Sequence, residues 1–148
     1  MSGVYNKGKD YVMKNGLTGE TLKAMLVNSG YSFDPDHDFV ADLTPGSNEL
    51  SGTGYAAGFS GAGRKTLGSA ALAEDDTNDR SYADYADLTW TAINAGTAAA
   101  LVLYISKTSD ADSILLGYVN SGGFPKVTNG GDLVVQWSSS PLGVLQIS

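Results

Sequence analysis

The sequence predicts a mainly β protein, a β-sandwich or jelly-roll-like single domain with one short helix and an extended N-terminal arm. Three observations carry that reading. Nineteen of the 148 residues are glycine, well above the roughly 7 % of average usage. Only 17 % of residues are charged while 42 % are hydrophobic, which supplies a core and a polar but sparsely charged surface and rules out an acidic disordered chain. In the second half, short apolar runs alternate with Gly-rich and Asn/Asp-rich turns at the spacing of an all-β domain. Residues 1–9 are assigned to the arm and 10–148 to one domain, since length and the lack of a composition break indicate a single unit.

The elements follow in order. Lys9-Asp-Tyr-Val-Met-Lys14 fits a strand or one helical turn, closed by Asn15-Gly16. Thr21 to Asn28 is a compact apolar run ended by Ser29-Gly30, and its length and exit favour a buried strand. Asp36 to Leu43 reads as the short helix, with Phe39, Val40 and Leu43 on one face and acidic residues in the first turn; Pro45-Gly46 should stop it. Glu49 to Gly63, rich in Gly, Ser and Ala, is a bulged strand or an extended loop anchored by Tyr55 and Phe59.

Further on, Lys65 to Leu72 alternates weakly and Asp75 to Asp79 is a polar turn. Thr89 to Ile93 is a strand. Ala98–Ile105 and Ser113–Val119 flank the Lys107-Thr-Ser-Asp110 turn at hairpin distance and should pair antiparallel. Asn129-Gly-Gly-Asp132 marks a turn before the final strands, Leu133–Trp137 and Leu142–Ile147.

Charge and composition narrow the function. The net charge is -7, and it is concentrated: residues 31–90 carry eleven acidic and three basic side chains, whereas residues 1–30 carry four lysines against two acids. An acidic chain lacks the basic face that phosphate binding requires, so no nucleic-acid partner is expected. No window approaches the roughly 18 apolar residues of a membrane span, so no membrane partner is expected either. Zero cysteines exclude disulfides and thiolate chemistry. Basic residues near Met1 are not followed by an apolar stretch, which predicts no signal peptide and synthesis in the cytoplasm.

No constellation points to catalysis. The only histidine, His37, lies between Asp36 and Asp38, and Phe59-Ser-Gly-Ala-Gly63 begins with Phe where a nucleophile elbow needs Gly. Asp34, Asp36 and Asp38 resemble the opening of a calcium loop, but Phe39 and Pro45 stand where that loop requires Gly and Glu. A looser site including Asp42 stays open beside the simpler reading, in which the aspartates cap the helix. Glu74-Asp-Asp-Thr-Asn-Asp79 reads as a solvated turn. Ser51-Gly-Thr-Gly-Tyr55 lacks the Lys-Ser/Thr of a phosphate loop. No enzyme, cofactor or metal is expected.

Several segments, in order, carry a resemblance: Tyr5-Asn-Lys-Gly-Lys9, Thr21 to Val27, Tyr31-Ser-Phe-Asp-Pro-Asp-His-Asp-Phe-Val40, Glu49-Leu-Ser-Gly-Thr-Gly-Tyr55, Asp75 to Arg80, Asp84 to Trp90, Leu116-Gly-Tyr118 and Val135-Gln-Trp137. In these the chain resembles small structural proteins of tailed bacteriophage virions, of the head decoration or cement kind. It departs from their pattern in Gly58–Gly63 and around Pro125. The resemblance implies a virion protein on the head surface, with the major capsid protein and further copies of itself, as trimer or dimer, for partners. A tail, neck or fibre component is the alternative it leaves open.

Aromatic residues with a polar tip suit such contacts, and the mildly basic start would order along a neighbour. The contact candidates are Tyr5, Lys7, Lys9, Tyr31, Phe33, Tyr55 and Phe59. A carbohydrate-binding module is a third reading, with Trp90 and Trp137 stacking on sugars. Both tryptophans fall in apolar strand patterns, which favours the core for them.

Overall fold

A computed structural model describes residues 2–137 and 145–147. It is mainly β, with several antiparallel sheets and few helices. The chain divides into two compact units, where the sequence reading drew one domain over 10–148. The first comprises Met1–Thr66 and Trp90–Leu133, the second Leu67–Thr89 and Val134–Ser148.

The first unit is built on a five-stranded antiparallel sheet of β1 (Gly3–Val4), β9 (Ile114–Val119), β8 (Ala100–Ile105), β2 (Leu22–Val27) and β3 (Lys65–Thr66), in that spatial order. The expected hairpin forms, with Leu101 opposite Val119 and Ile105 opposite Ile114, and a bulge between Leu103 and Tyr104. β8 lies at the centre with all six residues buried. This explains its unbroken apolar run: a strand covered on both faces has no solvent side to mark with alternation. One face contributes Met25, Val27, Ala100, Val102, Tyr104 and Leu115 to a cluster closed by Tyr5, Tyr31, Val40, Leu43 and Tyr118. A small antiparallel pair, β7 (Thr97–Ala98) with β10 (Lys126–Val127), also belongs to this unit.

Of residues 1–9, expected as an arm, Gly3 to Lys9 are folded into this unit. Gly3 and Val4 pair with Tyr118 and Gly117 at the sheet edge. Asn6–Asn15 then forms helix α1. Its local propensity is unremarkable; tertiary packing holds it. Tyr5 is wholly buried at its start, and Gly8 lets its backbone approach β9 so closely that a Cβ there would lie 2.9 Å from the Leu116 Cα. Gly16 ends the helix at φ 73°.

The helix expected over Asp36–Leu43 is shorter, confined to the end of that span. Val40–Leu43 is a 3-10 turn and Pro45–Asn48 a second short helix, α2. Asp42 nucleates the turn by accepting hydrogen bonds from the Asp38 and Phe39 N–H groups at 2.9 and 2.8 Å. Thr44, at φ 52°, breaks it. The first helix thus ends before Pro45, as expected, and Pro45 also starts the next one, because the first helical position needs no N–H donor.

The second unit contains a three-stranded antiparallel sheet with β5 (Arg80–Asp84) between β4 (Ala71–Asp75) and β12 (Leu145–Ile147). The polar turn over Asp75–Asp79 closes the β4–β5 hairpin: Asp75 accepts from Thr77 N–H, the Asn78 amide and the Arg80 guanidinium. β6 (Leu88–Trp90) and β11 (Leu133–Val135) span the points where the chain passes from one unit to the other. Leu142 to Val144, the start of the last predicted strand, lie outside the described residues.

Candidate contact surface and its buried clasp

Residues 49–64 form an extended loop rather than a strand, and it is bonded along its length. Leu50 N–H donates to Leu26 O and Gly63 N–H to Ala56 O, each at 2.9 Å. A turn runs from Gly52 to Tyr55. Within it Gly54 has φ 74° and passes so near residue 93 that a Cβ would meet the Ile93 Cα at 2.8 Å; only glycine suits both conditions. Trp90 is buried and its indole N–H donates to Gly63 O at 2.6 Å.

Beneath the loop sits a buried ionic clasp. Arg64 donates from Nε to Glu49 Oε1 at 2.9 Å and from Nη2 to Glu49 Oε2 at 2.7 Å. It also grips Asp110 through both terminal nitrogens. The side chains of Arg64 and Glu49 are 0 % and 1 % exposed. Glu49 also accepts from the Tyr55 hydroxyl at 3.1 Å and the Gly58 N–H at 3.1 Å, and Leu26 N–H donates to Tyr55 Oη. Every carboxylate oxygen is therefore met, which a buried charge requires. Burial works against the arginine's charge, but the bonds to Glu49 and Asp110 outweigh it and its pKa is raised. Burial followed by the Glu49 charge raises the Tyr55 phenol.

The β8–β9 turn presents Asp110. Asp112 accepts from the Thr108 and Ser109 hydroxyls and N–H groups, and these bonds, the one from the Thr108 side chain foremost, lower its carboxyl to about 2. Ser113 Oγ ties the same turn by donating to Ser109 O and accepting from Lys107 N–H. The clasp thus joins a rigid turn to both ends of the loop.

The structure separates the seven contact candidates. Tyr5, Tyr31 and Tyr55 are core residues: Tyr5 and Tyr31 share a hydroxyl hydrogen bond at 3.0 Å, and Tyr55 belongs to the clasp. Their rings fill the interior instead of facing a neighbour, because each polar tip finds an internal partner. Phe33 is half-buried, stacked on Tyr118 at 5.1 Å. Lys7 lies over Phe39 and 3.5 Å from Asp38. Lys9 is exposed, bonding Asn6. Phe59 is half-buried, with Lys23 5.9 Å from its ring. Exposed surface therefore remains at Lys7, Lys9, Phe33 and Phe59.

Asp34, Asp36 and Asp38 diverge. Asp34 caps Asp36 N–H, Asp36 accepts from Asn6, and Asp38 faces Lys7. His37 Nδ1 lies 3.1 Å from the Tyr31 hydroxyl. Among the described residues, no group of three or more acidic or histidine side chains is placed to hold a metal ion. The sequence marks Asp110 only as part of a turn and gives Arg64 no role; the available signal is an arginine, one of only two, set directly after a glycine-rich loop. No family model, no curated protein and no solved structure matches the chain.

Proposed function

We propose that this chain is a non-enzymatic bacteriophage capsid decoration protein, attached to the outside of the head shell, where it bridges major capsid subunits as a homo-oligomer. The observation that carries the proposal is the clasped loop. A protein that cements a lattice must offer the same contact shape at every site, and a loop held in one conformation loses little entropy on docking. Ser51 to Gly54, Ala56, Ala57, Ser60 and Ala62 are all exposed. Such small uncharged residues allow close approach at low desolvation cost.

The phage-like segment Glu49–Tyr55 supplies two members of the clasp, Glu49 and Tyr55, which supports the same reading. The sandwich or jelly-roll arrangement belongs to this proposal too. Many modest contacts per oligomer would add through effective concentration.

The test is quantitative mass spectrometry of purified particles, combined with binding of the protein to particles lacking it. A copy number on the order of hundreds is expected of a head lattice. A dozen or fewer copies would assign the chain to the tail or neck, and absence from particles would overturn the proposal altogether. Ala57→Arg should abolish shell attachment while leaving the melting temperature within about 2 °C, as surface changes usually do. Full occupancy by that variant would remove the loop from the interface.

A further inference from the structure

The second unit holds an open cleft of about 550 Å³ lined by Asp84, Tyr85, Ala86, Asp87, Gln136 and Trp137. That volume falls within the roughly 300–1,000 Å³ usual for small-molecule sites. We infer that this cleft binds a neutral pyranose sugar, with the Trp137 indole as its stacking platform.

Four features carry the inference. The two tryptophans, alike in the sequence, have different fates: Trp90 is wholly buried, whereas Trp137 is partly exposed and lines the cleft. Trp137 is held at both ends, its backbone N–H donating to Asp87 Oδ1 at 3.0 Å and its indole N–H to Ala86 O at 3.1 Å. Its polar atom is therefore spent on positioning, and the ring offers an anchored apolar surface to the C–H face of a sugar.

The carboxylates are also set. Asp84 Oδ1 accepts from the Tyr85 N–H at 2.9 Å, and Asp87 Oδ1 accepts from Trp137. Their Oδ2 atoms take no hydrogen bond among the described residues. Two oriented carboxylate oxygens suit paired hydroxyl donors. Gln136, exposed beside them, adds an amide that both donates and accepts.

The chemistry also selects against other ligands. Two carboxylates repel phosphates and acidic sugars. A quaternary ammonium would use the acidic walls, but it favours several aromatic faces around it. Here Tyr85 is buried and a single exposed indole remains. The donor on Gln136 has a use with a hydroxyl and none with a cation. This inference does not depend on the decoration role.

The test is titration of the full chain with neutral mono- and oligosaccharides, followed by the two indole N–H resonances. A saturable shift confined to Trp137 is expected at millimolar sugar, with Trp90 as internal control. Trp137→Ala should weaken binding at least about tenfold, in keeping with the loss of a stacked ring. Gln136→Ala should weaken it by about threefold or more at unchanged melting temperature, as for one lost hydrogen bond. If Trp137→Ala does not fold, the position of the shift and the Gln136→Ala result decide. The proposal is overturned by no saturable shift with any neutral sugar, by a shift at Trp90 instead, by affinity unchanged in Gln136→Ala, or by a response to choline or sialic acid alone.

Discussion

Arg64 and Glu49 neutralise each other in a space closed to water, so the consequences of removing one depend on what is left behind. Arg64→Met leaves a buried carboxylate without its cation, and urea denaturation should show a loss of about 3–5 kcal/mol. Replacing Glu49 and Arg64 together by Met should cost less, since the one carboxylate that loses its cation, Asp110, keeps contact with water at 24 % exposure. Tyr104 presents the opposite case. It is wholly buried, its hydroxyl has no hydrogen-bond partner among the described residues, and burial raises its pKa to about 12. Tyr104→Phe should therefore leave stability unchanged or raise it by about 1 kcal/mol in the same measurement.

Asp112 makes stability sensitive to acid. Its folded pKa of about 2 lies below the unfolded value near 3.9. Its contribution is thus present above about pH 4 and is lost as pH falls toward 2. Asp112→Asn should flatten the acid limb of a stability–pH curve in that window.

At the scale of the element, helix α1 is the instructive case. Asn6 to Asn15 contains Gly8, two Asn and only one ion pair of its own, Asp10 with Lys14. Its short apolar run, Tyr11-Val-Met13, set between polar residues, suits a strand as readily as a turn of helix. Gly8 weakens the helix locally but makes its packing possible. Gly8→Ala should improve helix propensity yet destabilise the protein by about 1–3 kcal/mol, because its methyl would press on the β9 backbone. A thermal melt compared with an exposed Asn15→Ala control separates the two effects. The β8–β9 hairpin was legible for a different reason: two apolar runs and a Ser/Asp turn encode pairing within one short stretch of chain.

Across the whole molecule, the two units differ in how much of their sheet is covered. All of β8 is buried, whereas β4 is exposed from Ala71 to Glu74. Amide exchange should consequently be slowest in β8 and much faster in β4. Protection in β4 equal to that of β8 in the isolated chain would contradict this. Removing residues 1–9 should lower the melting temperature, because it deletes Tyr5 and edge strand β1 along with the first turn of α1. An arm free of the fold would leave that temperature unchanged.

Mainly β architecture, the β8–β9 hairpin, the buried strand at Leu22–Val27 and the turn at Asp75–Asp79 were all written in local patterns, since apolar runs and turn residues act within a few positions of one another. The fate of individual aromatics was not. Tyr5, Tyr31 and Tyr55 looked like surface anchors, and whether a phenol faces outward depends on a distant partner for its hydroxyl: Tyr31 for Tyr5, Glu49 for Tyr55. Trp90 and Trp137 sit in similar runs, and each indole N–H finds a carbonyl distant in sequence, yet only Trp90 is wholly buried. The clasp joins residues 49, 64 and 110. No local pattern spans such separations; only the folded chain brings those charges together, and the exclusion of water there gives the contact its strength.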